Sequence, residues 1–137
     1  MLFRSQQDWN ARWNRDLVSA FAAFQQRGRL DLITCAGTHG FLPLMRHEAS
    51  RNAQIRTGID AFSERIGVAP AGLWLPECAF ERGIDRLLAD ARIQYTIVDS
   101  HAFEAASSRP ARGLFAPIVG LDGTAFFARD PESSRQV

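Results

Sequence analysis

Residues 71–80 read A-G-L-W-L-P-E-C-A-F. A short apolar run, 72–75, leads into Pro76, which cannot donate to a strand ladder, and the carboxylate of Glu77 follows at once. An acid at the end of a buried strand is the arrangement by which parallel sheets and barrels present chemistry at their C-terminal edge. Strand side chains alternate between faces, so Leu73, Leu75 and Glu77 are expected on one side, with Gly72, Trp74 and Pro76 on the other. Glu77 is the first candidate for catalysis.

Working upstream, Ile55, Ile59, Phe62 and Ile66 recur at helical spacing, and Gly67 with Pro70 ends the run, which predicts a helix over 48–66. Before it, residues 30–35 are apolar and rich in strand formers, and they deliver the loop A-G-T-H-G-F-L-P-L that carries His39. Trp9, Trp13, Leu17, Phe21 and Phe24 predict one amphipathic helix stopped by Gly28, with Ser5 and Asp8 as a capping pair. Its two tryptophans read as packing residues.

Downstream, Ile84, Leu87, Leu88 and Ala91 mark another helix, and residues 94–98 another strand, closed by Asp99, Ser100 and His101. Strand, helix, strand, helix, strand is the rhythm of a parallel sheet, because parallel neighbours need a crossover and the crossover is usually helical. An α/β fold follows. Beyond Pro110 the rhythm changes. Apolar runs at 114–119 and 124–128 flank Asp122-Gly123, a tight-turn signal that predicts an antiparallel hairpin, and the polar tail 129–137 reads as loop.

With 137 residues, nearly half of them apolar, the chain is sized for one core. Its 16 basic and 15 acidic residues leave a net charge of +1, so nothing electrostatic points to nucleic acid or an anionic membrane. Every basic side chain except histidine is arginine, a bias without a structural explanation. Cys35 and Cys78 lack metal-ligand spacing and suggest no disulfide framework, and the first residues contain no apolar run of signal or membrane length. Cytoplasmic localisation is the expectation, with no cofactor and no metal.

Four ordered blocks, I-T-C-A-G-T-H-G-F-L-P-L, G-L-W-L-P-E-C-A-F, Y-T-I-V-D-S-H-A and F-F-A-R-D-P-E-S-S, resemble glycoside hydrolase family 57 from about residue 29 onward, and within it the 1,4-alpha-glucan branching enzymes. The resemblance implies an incomplete (β/α) barrel acting on alpha-glucans by a retaining mechanism, with Glu77 as nucleophile and His39 as an active-site histidine. The expected fold is then a partial (β/α) barrel with a β-hairpin near the C-terminus. Trp74, Asp99, His101, Arg129 and Asp130 join as candidate substrate contacts, the last two read in preference as a structural ion pair that touches the site's edge.

A retaining glycosidase needs a second carboxyl, as acid and base, about 5 to 5.5 Å from the nucleophile. By resemblance that aspartate belongs to a later block than any seen here, and a complete barrel takes about 250 residues. Residues 1–137 are therefore expected to be an N-terminal portion of the catalytic domain, partnered by the remainder of that domain and inactive alone. Alpha-amylase and 4-alpha-glucanotransferase activity are alternatives within the family. Outside it stand a metal-dependent polysaccharide deacetylase, for which only Asp99 and His101 are suitably close, and a catalytically incomplete glucan-binding piece.

Overall fold

The computed structural model describes residues 2–108 and 110–136. Two helices, α1 (Leu2–Trp13) and α2 (Leu17–Gln26), lead to a two-residue strand β1 (Thr34–Cys35), helix α3 (Glu48–Ile66), strand β2 (Gly72–Trp74), helix α4 (Ile84–Asp90) and strand β3 (Tyr95–Val98). A short helix α5 (Ser100–Glu104), strands β4 (Ile118–Val119) and β5 (Ala125–Ala128), and a single helical turn α6 (Pro131–Ser134) complete the order.

The five strands form one sheet in the order β1-β2-β3-β5-β4. β1, β2, β3 and β5 are parallel, and only β4 runs against its neighbour. The expected parallel trio is thus present, and the hairpin adds to it. Its second strand, β5, docks beside β3 and extends the parallel sheet, so the hairpin is not a separate appendage. The sheet does not close into a barrel among the described residues.

Helix α3 lies directly on β1 because position 58 is glycine, and any Cβ there would run into the carbonyl oxygen of Cys35. Thr34 Oγ1 donates to the Gly58 carbonyl at 2.7 Å across the same contact. Register then sorts the two faces. Thr34, Leu73, Thr96 and Phe126 stand level on neighbouring strands and are all buried toward the helices. The next row, Cys35, Trp74, Ile97 and Phe127, is half-buried to exposed. The core on the helix side joins Leu42, Ile55, Leu73, Leu75, Ile84, Leu88, Val98 and Phe103.

Five sequence expectations change. The first helix is two, broken at Asn14 and Arg15, both in left-handed conformation, and restarted by Asp16, whose carboxylate accepts from Ser19 N at 2.9 Å. Ser5 lies inside α1 and caps nothing, and Trp13 is exposed where packing was expected. The first strand is shorter than 30–35 because Leu32 N–H is taken by the side-chain carbonyl of Gln25, at 2.7 Å, before the ladder begins. The tail contains α6, capped by Asp130 with Pro131 in its first turn, while Val137 lies outside the described residues.

Candidate active site

Because β1, β2, β3 and β5 run the same way, the segments that follow them emerge at one edge of the sheet. After β1, the carbonyl of Ala36 accepts from His39 N at 2.9 Å, closing a tight turn that holds His39 at φ 55°. Helix α3 fixes the start of this loop: Gln54 accepts from Gly37 N through its backbone and from Thr38 N and Oγ1 through its side chain. Fully buried Leu42 anchors the far side.

After β2, the chain leaves extended geometry at Pro76. Glu77 (φ 56°, ψ 23°) and Cys78 (φ 52°) are consecutive left-handed residues, a conformation that costs L-residues energy and persists where the surroundings over-determine it. Cys78 N donates to Leu75 O at 2.8 Å, and Asp99 N donates to Cys78 O at 3.2 Å, tying the turn to the end of β3. Phe80 meets Phe126 edge to face at 5.1 Å between ring centres. The backbone reversal ends the alternation of faces. Leu73 and Leu75 are completely buried toward the helices, whereas Glu77 projects into solvent with 73% of its side chain exposed.

That corrects the expected facing of Glu77, whereas Trp74 stays opposite Leu73 and Leu75 as alternation predicts. It stands in the open row between Cys35 and Ile97, on the side away from the helices, and is half-buried there. The row left uncovered is that of Trp74, not that of Leu73 and Leu75.

The structure brings His39 and Glu77 together, with Nε2 3.4 Å from Oε1. The other ring nitrogen, Nδ1, lies 3.1 Å from Cys35 Sγ. Burial pushes the Cys35 thiol above its ordinary value, partly offset by the Ala36 N–H. Two loops that sequence separates by some forty residues are also clamped from behind. Arg51 of α3 donates to the Met45 and Pro43 carbonyls of the His39 loop and pairs with Glu81, just beyond Glu77, at 2.7 Å. This clamp and the Cys35 contact escaped sequence reasoning. The C-x-x-x-H spacing was visible for Cys35, but nothing local links Arg51 to Glu81.

Asp99 and His101 form a pair of their own, Nδ1 to Oδ1 at 2.9 Å. The Asp99 carboxyl is held below its ordinary range chiefly by the His101 backbone N–H, which burial opposes and the His101 ring and Ser100 hydroxyl reinforce. Arg129 and Asp130 are not ion-paired with each other. Arg129 Nε donates to Ser134 Oγ at 2.8 Å, and Asp130 caps α6 through Glu132 N and Ser133 N. Arg129 also lies by Cys78, whose thiol burial pushes up and Arg129 partly draws back down. Asp99, Ser100, Arg129, Ser134 and Arg135 line a hollow of about 250 Å³. A larger hollow of about 420 Å³ is lined by Phe103, Glu104, Pro110, Gly113 and Leu114, and includes none of His39, Glu77, Asp99 or Arg129. Among the described residues, no three His, Cys, Asp or Glu side chains are grouped to hold a metal ion, and no helix is long and apolar enough to cross a membrane.

The chain whose parallel sheet gathers this histidine and glutamate at strand ends matches, over residues 3–137 of its sequence, the model of glycosyl hydrolase family 57. The chain belongs to that family. The match takes in α1 and α2, upstream of where the sequence blocks began to show the likeness. A 1,4-alpha-glucan branching enzyme of Thermococcus kodakarensis is 27% identical over 164 residues, covering 98% of this chain and 24% of that protein. In structure, the alpha-amylase AmyC from Thermotoga maritima superposes with a TM-score of 0.91 at 38% identity, over 98% of this chain and 26% of that one. The branching enzyme of Pyrococcus horikoshii gives 0.83 at 30% identity, over 94% and 27%. The chain spans about a quarter of the length of these relatives, and its open sheet resembles part of their (β/α) barrel.

Proposed function

We propose that this chain carries the nucleophile of a retaining, alpha-glucan-processing site, and that the reaction is transfer of a 1,4-linked segment to form a branch. The observation that carries the reading is the contact between His39 Nε2 and Glu77 Oε1 at the ends of two parallel strands, in a chain of this family. Glu77 attacks the anomeric carbon through a carboxylate oxygen. The glycosidic C–O bond breaks, the leaving oxygen takes a proton from an acid, and a glycosyl ester forms. An acceptor hydroxyl then attacks the same carbon, giving up its proton to the conjugate base and freeing Glu77. The acid/base carboxyl is assigned to the remainder of the catalytic domain, so residues 1–137 are inactive alone under this reading.

His39 would hold the Glu77 carboxylate in place, and Trp74, Asp99, His101 and Arg129 are assigned to sugar contacts. Asp130 is assigned to the edge of the site, through α6. Trp74 on the open face offers a ring for stacking, and the Asp99–Arg129 hollow offers donors and acceptors suited to hydroxyls. The relatives named for branching support transfer, whereas the likeness to AmyC favours hydrolysis. A cytoplasmic storage glucan is the substrate that the branching reading assigns.

The test is turnover of amylose by the complete catalytic domain. Glu77→Gln should lower kcat/KM at least roughly a thousandfold, on the order of 4 kcal/mol, while glucan binding is retained. New branch points among the products support branching, and shortened linear chains support the amylase alternative. A Glu77→Gln enzyme keeping most of its activity, or activity lost on chelation, would count against the nucleophile and for metal-dependent chemistry.

A further inference from the structure

Building on the reading of Glu77 above, we propose that Cys35 is a positioning residue: its thiol donates to Nδ1 of His39 and fixes the neutral ring with its proton on Nε2, directed at Glu77. The imidazole sits between two partners, Sγ at 3.1 Å from Nδ1 and Oε1 at 3.4 Å from Nε2. A neutral ring has one N–H to give. If that proton were on Nδ1, the Nε2 lone pair would face a carboxylate oxygen. If it is on Nε2, the polar N–H lies beside the carboxylate and Nδ1 is free to accept from the thiol, provided the sulfur retains its hydrogen. Burial of the Cys35 side chain favours the S–H form.

The two ends of this link are held independently. Cys35 is the last residue of β1, laddered to Trp74, and the absence of a side chain at Gly58 lets α3 press on its carbonyl. His39 is fixed by the turn to Ala36. The backbone therefore sets where the ring is, and the thiol adds to the Glu77 carboxylate in setting which nitrogen bears the proton. With Nε2–H facing it, Glu77 is oriented as an anion before attack. That electrostatic contact weakens as the carboxylate oxygen becomes an ester oxygen, so Cys35 acts through His39 and touches no reacting atom.

The direct test is magnetic resonance of the histidine ring nitrogens, with isotope label confined to histidine and the three signals assigned by His→Gln variants. In the unsubstituted protein at neutral pH, His39 should show a protonated Nε2 and a bare Nδ1. Cys35→Ser, which keeps a donor, should preserve that pattern, whereas Cys35→Ala should raise the Nδ1–H form several-fold. In the complete enzyme, Cys35→Ala should lower kcat about tenfold with little change in KM, and Cys35→Ser should recover most of it. A His39 protonated on Nδ1 in the unsubstituted protein overturns the proposal without any variant having to fold. So does an alanine variant with unchanged tautomer or unchanged kcat. An active Glu77→Gln enzyme with the expected tautomer would instead overturn the nucleophile assignment and leave the Cys35–His39 link standing.

Discussion

At the scale of single residues, Glu77 and His39 were legible because each follows an apolar strand at a helix-breaking sequence, and a strand end can be read from one short stretch. The facing of Glu77 relative to Leu73 and Leu75 was not. Alternation holds only while the backbone stays extended, and it was carried through Pro76 into a residue whose φ is 56°. Cys35 was seen as the end of a strand, but its contact with a ring four residues later depends on the left-handed turn at His39. Tyr95, the chain's single tyrosine, shows how burial and a partner act together. Its hydroxyl donates to Asp31 at 2.6 Å, and its pKa is pushed up to about 12, first by burial and then by the Asp31 carboxylate. Tyrosinate absorbance should therefore rise near pH 12 in the folded protein, and near the ordinary value of 10 once it is unfolded. Between these values the folded state keeps a proton that the unfolded state releases. The Tyr95 contribution to stability is thus present below pH 10 and lost as pH climbs to 12. Tyr95→Phe should remove that part of the alkaline sensitivity. Titration of the folded chain at the ordinary value would refute the Asp31 contact.

Among the elements, α3 was predicted at its observed bounds, since its apolar spacing is regular and Gly67 stops it. The others slipped where side chains compete with backbone. Asp16 restarts a helix that hydrophobic spacing alone runs through, and Gln25 takes the donor of Leu32 that would otherwise begin β1. The sequence D-P-E-S-S carries the signal of α6, an aspartate cap followed by proline at the first helical position, but a polar tail masks it as loop. The contact of α3 with β1 is where an element most directly supports the site. Gly58→Ala places a methyl group against the Cys35 carbonyl, which belongs to the ladder and cannot swing aside. The substitution should destabilise the fold by about 1–3 kcal/mol, despite the higher helix propensity of alanine. It should also alter the His39 ring signals, because Cys35 must shift. Denaturant midpoints measure the first effect, and an unchanged or raised midpoint would show that α3 does not rest on β1 at Gly58.

For the whole molecule, parallel topology was legible in the alternation of strand and helix, but the docking of β5 beside β3 was not. A hairpin announces its turn and is silent about which further strand it joins. The result is a sheet with the β1 edge unpaired among the described residues and an open face bearing Trp74, Ile97 and exposed Phe127. Val18, Phe21 and Phe24 of α2 are exposed as well. Apolar surface of this extent with a free edge favours association, so sedimentation should show the 137-residue chain growing in mass with concentration. A sharply melting monomer at all concentrations would contradict that. The assignment of Glu77 is tested most directly by trapping the glycosyl ester. A fluorinated alpha-glucosyl fluoride carries a leaving group that needs little help from an acid, and its ring fluorine slows hydrolysis of the adduct. After incubation of the complete catalytic domain with this reagent and proteolysis, mass spectrometry should find one added glycosyl unit on the peptide containing Leu75-Pro76-Glu77-Cys78, attached at Glu77 and absent from Glu77→Gln. A stable adduct on any other carboxylate would contradict the account.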